Sequence, residues 1–99
     1  MGAGGHPNEL PIPDGAAANP AAAEVLSAWI VDGGLQVAMQ RAFDEPDVWG
    51  LLLVDVARHA ARIFAEEGVM TEAEALDRIR KMWSAELASP TDPGQTTKV

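Results

Sequence analysis

EVLSAWIVDGGLQVAM, residues 24–39, is the stretch on which the fold turns. Two apolar runs, Val25 to Val31 and Leu35 to Met39, flank Asp32, Gly33 and Gly34. Asp-Gly between such runs marks a hairpin, because the tightest strand-to-strand turn needs positive φ at both central residues. The second run alternates Leu35, Val37 and Met39 with Gln36, Ala38 and Gln40, which is the period of a strand. A helix competes for the first run. Asn19 and Pro20 read as N-cap and first helical residue, and AAAEVL favours helix, so a helix from Pro20 to Ile30 stands as the alternative to a strand over residues 20–31. The alternation of the second run favours the hairpin. Whether the loop is Asp32-Gly33 or Gly33-Gly34, Leu26, Ala28, Ile30, Leu35, Val37 and Met39 share one face, expected to be the core side. The other face mixes Val25, Trp29, Val31 and Ala38 with Ser27, Gln36 and Gln40, more apolar than a wetted face requires.

Downstream, DEPDVWGLLLVDVARHAARIFAEEG (residues 44–68) reads as a long helix. Acidic residues and Pro46 open it and Gly68 closes it. At 3.6 residues per turn, Trp49, Leu52, Leu53, Val56, Ala60, Ile63 and Phe64 form the apolar stripe. Leu51 and Val54 fall outside that stripe, which predicts burial of the first half on more than one side. A second helix follows from the capping box Thr71-Glu72-Ala73-Glu74. Its stripe is Leu76, Ile79, Trp83 and Leu87, with Met82 beside it, and Glu74–Arg78 and Asp77–Lys81 are spaced as ion pairs. The short link Gly68-Val69-Met70 makes the two helices antiparallel neighbours. The predicted fold class is α+β, a small antiparallel β-hairpin followed by two antiparallel helices (ββαα). It is expected over residues 20–89, between an N-terminal arm (1–19) and a C-terminal tail (90–99) whose Gly, Pro and small polar residues predict disorder. Within the arm, LPIP (Leu10 to Pro13) is extended by its prolines and free to dock on the domain or a partner.

Fifteen Asp plus Glu against seven Lys plus Arg give a net charge of -8, which argues against nucleic acid or a membrane surface as partner. The absence of cysteine removes disulfides, thiolate metal sites and thiol nucleophiles. Residues 1–14 lack a basic and an apolar signal region, so the cytoplasm is the expected compartment. No phosphate loop, dinucleotide fingerprint, zinc-protease helix or nucleophile elbow is present, and no cofactor is expected; Gly2 to Gly5 resemble a phosphate loop only in composition. One cluster carries a small-molecule or metal-ion alternative: Asp55 and His59, four apart on a helix, with Arg62 alongside. As ordinary surface ion pairs the same residues need no site. Trp49 and Trp83 continue apolar stripes and belong to the core, whereas Trp29 points away from the core side.

A domain of about 70 residues without disulfides is marginal on its own core. A two-stranded sheet is weak alone, and its free edges can pair with a copy of themselves. These features predict a homodimer, either through a four-stranded sheet across a two-fold axis or through stacked Trp29 faces, with another protein as a further partner class. Trp29, Val31, Leu51 and Val54 are the candidate interface residues. The expected role is a non-enzymatic interaction or homodimerisation module, not an enzyme.

AWIVDGG at the turn, DVWG at residues 47–50 and VARHAAR at residues 56–62 give the stretch from Glu24 to Ala61 a family likeness. It resembles a bacterial domain of unknown function, family number 5076. The resemblance implies a small stand-alone bacterial cytoplasmic protein and assigns no activity, cofactor or binding residue.

Overall fold

The structure, a computed structural model, describes residues 5–99; the first four residues of the arm, with most of the Gly-rich run, lie outside them. Residues 24–39 settle as a hairpin. Strand β1 (Leu26–Val31) pairs antiparallel with β2 (Gly34–Met39), Val31 opposite Gly34 and Leu26 opposite Met39. The turn is Asp32-Gly33, with φ of 52° and 83°, the two positive values a type I′ turn demands. The helix alternative over residues 20–30 does not form; the cross-strand ladder satisfies the backbone groups that a helix would have paired internally.

Upstream, the arm carries a single helical turn, α1 (Asp14–Ala17), and the His6 ring meets Trp29 edge-on at 4.8 Å. Downstream, the long helices are α2 (Asp47–Glu66) and α3 (Glu72–Ala88). Pro46 sits one position earlier than expected, at the N-cap of α2. The far end of α2 closes with Gly68 at φ 74°. There Val69 N donates to the Phe64 carbonyl and Gly68 N to that of Ala65, the pair of bonds that satisfies last-turn carbonyls in a Schellman motif. Helix α3 opens with the expected reciprocal cap: Glu74 N donates to Thr71 Oγ1 and Thr71 N to Glu74 Oε1, both at 3.1 Å. With the Glu74 carboxylate turned back to the cap, Asp77 makes the exposed ion pairs of α3, with Lys81 at 2.9 Å and Arg80 at 2.7 Å.

A third strand, β3 (Gln95–Lys98), lies parallel to β2, so the sheet order is β1-β2-β3 with both helices in the crossover from β2 to β3. The C-terminal tail expected to be disordered is therefore partly strand. Its order comes from polar groups that leave no apolar pattern. Glu86 accepts from Thr91 N and Oγ1, and Asp92 accepts from Leu35 N at 3.3 Å and Gly94 N at 2.9 Å. Gly94 takes φ 65° where a Cβ would stand 2.7 Å from the Leu35 carbonyl oxygen, so the chain can approach β2 only as glycine.

Between sheet and helices the connector is held by Trp49. Its Nε1 donates to the Arg41 carbonyl at 2.8 Å and its ring meets Phe43 edge-on at 5.7 Å. Phe43 N bonds the same carbonyl at 2.7 Å across Ala42, whose φ of 65° makes this a γ-turn of the strained sense. The expected core does not close over the sheet. Among the described residues, no Cα of a helix comes within 8 Å of a Cα in a strand. The radius of gyration is 15.2 Å, against about 13 Å for a compact chain of this length. Among the described residues the only buried apolar side chains are Ala61 and Ala75, one on each helix near their joined ends.

Candidate functional site

The face of the hairpin expected to be the core side is the one left open. Ile30 is 74% exposed and Leu35 is exposed beside it, while Leu26, Val37 and Met39 are half-buried. On β3 the same face continues as Thr96 opposite Val37 and Lys98 opposite Met39, so the apolar strip is confined to β1 and β2. Trp29, on the opposite face, is half-buried. Its Nε1 donates to Ser27 Oγ at 3.0 Å and His6 covers its ring edge, so part of its surface is already satisfied within the chain. Val31 is exposed at the end of the same face.

The helices present two further apolar surfaces. Along α2, Val56, Ile63 and Phe64 are exposed although the stripe they belong to is the one the sequence assigns to the core. Val54 lies seven residues before the buried Ala61 and Met82 seven after the buried Ala75, so both continue the faces on which the helices meet. Both are nevertheless exposed, Met82 at 63%, together with Leu51 at 69%, Trp83 and Leu87. The hairpin of helices thus buries its own seam only near Gly68 and leaves it open at the other end. Of the four expected interface residues, Val31, Leu51 and Val54 are exposed and Trp29 is half-covered, and they do not form one patch: two lie on the sheet and two on α2. Ile30, Val56, Ile63, Phe64 and Met82 were not singled out as surface by periodicity, because an amphipathic pattern shows that a face is buried without showing by what.

Of the Asp55, His59 and Arg62 cluster, His59 and Arg62 come together. His59 Nδ1 lies 3.4 Å from an Arg62 guanidinium nitrogen, and Arg62 Nε lies 4.0 Å from Glu72 Oε2 on α3. Arg62 is thereby engaged between the helices. Among the described residues no three His, Asp or Glu side chains converge as metal ligands, and no helix is long and apolar enough to cross a membrane. A cleft between the arm and β1 is lined by the aliphatic Leu10, Ile12 and Leu26 together with the polar Glu9, Asn19 and Glu24.

Surface area measures how incomplete the single chain is. It exposes 8060 Å². A compact monomer of 10.4 kDa exposes about 5,400 Å², leaving a surplus of roughly 2,700 Å². Two chains together carry about 5,400 Å² of such surplus, just above the roughly 2,000–5,000 Å² that obligate homodimers remove in total from their two chains, so the surplus is large enough to supply such an interface.

Comparison with known proteins gives a family and a fold. The family model described as "Domain of unknown function (DUF5076)" matches residues 9–91, from the arm to just past α3. No curated protein matches. A solved structure from the photosynthetic bacterium Rhodopseudomonas palustrus CGA009, described as that of "a putative pyruvate dehydrogenase", is 50% identical. It aligns over 95% of this chain and 97% of the other at a TM-score of 0.75.

Proposed function

Because the chain belongs to the DUF5076 family, which assigns it no activity, its function must be argued from its surface, and we propose that it is a non-enzymatic module that homodimerises and acts through protein contacts. The observation that carries this reading is the surplus of exposed surface, rich in large apolar side chains, around a chain in which Ala61 and Ala75 are the only buried apolar side chains among the described residues. Exposed aliphatic and aromatic groups on this scale mark a surface meant for another surface. A polypeptide partner supplies one, whereas a small polar substrate does not. The net charge of -8 keeps such a protein soluble and away from nucleic acid and anionic lipid. The dehydrogenase name of the solved relative belongs to that protein; the groups gathered on this chain's open faces are suited to excluding water rather than to polarising a carbonyl. Arg62, one of three residues in the alternative ligand site, is engaged by Glu72.

The test is mass in solution. Sedimentation equilibrium across a wide dilution series is expected to give twice the 10.4 kDa chain mass, with a thermal midpoint that rises with concentration. A cooperative 10.4 kDa monomer, with a midpoint independent of concentration, refutes the proposal.

A further inference from the structure

The open sheet face and the open stripe of α2 have matching dimensions. The strip formed by Leu26, Ala28, Ile30, Leu35, Val37 and Met39 is two strands wide, bounded on one side by Thr96 and Lys98 of β3. Two strands occupy about 10 Å, the diameter of one helix with its side chains. A second sheet laid on this face would set its apolar side chains against Lys98 and Thr96, and a single helix would not. Six strand residues run about 20 Å. On α2, the stripe Leu52, Leu53, Val56, Ala60, Ile63 and Phe64 runs about 18 Å at 1.5 Å per residue. The side of α2 bearing Ala61 meets α3; along this stripe Leu52, Leu53 and Ala60 are half-buried and Val56, Ile63 and Phe64 are exposed, so it is a second apolar side that the chain covers only in part.

Resting on the dimer proposed above, we infer that α2 of a second copy covers this sheet face, and that each chain's α2 is received by the other's sheet. The chain's own α2 does not close over it: among the described residues no helix Cα lies within 8 Å of a strand Cα, and Ile30 and Leu35 stay exposed. The connector that separates them is built rather than slack: Trp49 and Phe43 N both bond the Arg41 carbonyl, with Ala42 held at positive φ. A two-fold axis makes the exchange reciprocal, so one operation covers two sheet faces and two helix stripes. This is the economy of a domain-swapped dimer, in which the contacts that would close a monomer are made between chains. The free edge of β1 is not consumed by this arrangement.

Cysteine cross-linking tests it, because the chain has no cysteine of its own. Ile30→Cys is combined with Leu52→Cys in one double variant and with Ile63→Cys in another, so that either direction of the helix on the sheet places one pair close. A short bismaleimide is expected to convert one of the two double variants to covalent dimers. An equal mixture of the corresponding single variants is expected to give heterodimers, and Ile30→Cys alone to stay uncross-linked. A dimer by sedimentation that links only Ile63→Cys to Ile63→Cys would mean helix-on-helix pairing and would overturn this arrangement while leaving the dimer intact. A double variant that links within one chain would also overturn it, since α2 would then cover its own sheet. Monomeric mass before cross-linking would overturn the dimer itself. Ala28→Cys with Ala60→Cys provides a smaller pair on the same faces if circular dichroism shows any of the first set unfolded.

Discussion

Gly94→Ala should release β3 and leave the helices standing. Two costs meet at this residue. A side chain at φ 65° occupies left-handed backbone, which costs an L-residue about 1–2 kcal/mol. Its Cβ would also stand 2.7 Å from the Leu35 carbonyl oxygen, and that oxygen belongs to a strand fixed by the Ile30–Leu35 pairing on its other side. The chain at 92–95 must therefore move, not β2. Against this stands the stability of a four-residue edge strand, whose individual backbone bonds contribute about 0.5–1.5 kcal/mol each. The strain is comparable to what holds the strand, so the local outcome is detachment. Native-state amide exchange reads it at Val99, whose N–H bonds the Met39 carbonyl at 2.9 Å. Its protection is expected to fall about 5- to 30-fold, the equivalent of 1–2 kcal/mol, with α2 amides unchanged. Gly94→Asn separates the costs, since Asn tolerates left-handed backbone but keeps the Cβ. Unchanged protection at Val99 in Gly94→Ala would refute the reasoning, as would an equal loss across α2.

Two further perturbations probe the joints that precede the two long helices. The Glu74 carboxyl is held below its ordinary pKa, first by the Thr71 backbone N–H and then by the Thr71 hydroxyl. A depressed folded pKa means stability present above the unfolded value and lost as pH falls through the folded one. Acid titration followed by helix circular dichroism should therefore show a loss below about pH 4.5 that Glu74→Gln lacks, while Thr71→Ala costs about 1 kcal/mol at neutral pH. Ala42→Gly removes the cost of positive φ in the connector turn and should raise stability by about 1 kcal/mol in denaturant unfolding, provided the γ-turn persists; a loss would mean that turn is not maintained in solution.

What could be read from the sequence divides by whether the signal is local. The Asp32-Gly33 turn, the Gly68 stop and the Thr71–Glu74 cap are set by residues within a few positions of one another, and all three form. The strand β3 rests on Asp92 reaching Leu35 and on a glycine whose role is visible only against the Leu35 carbonyl. Such a polar anchor across 57 residues leaves no periodicity to find. The candidate surface fails to be legible for a different reason. Periodicity placed Ile30, Leu35, Val56, Ile63 and Phe64 on faces to be buried, which is a statement about chemistry, and a core within the chain was the default cover for them. The structure keeps that chemistry and withdraws that cover. The excess width of α2 at Leu51 and Val54 was the one departure in the sequence from what a self-contained helical hairpin requires, and both residues are exposed at the open end of the seam. A chain with this much apolar face and so little interior has surface left to bury, and on the dimer proposed above the matched strip and stripe make a second copy of itself the simplest cover for both.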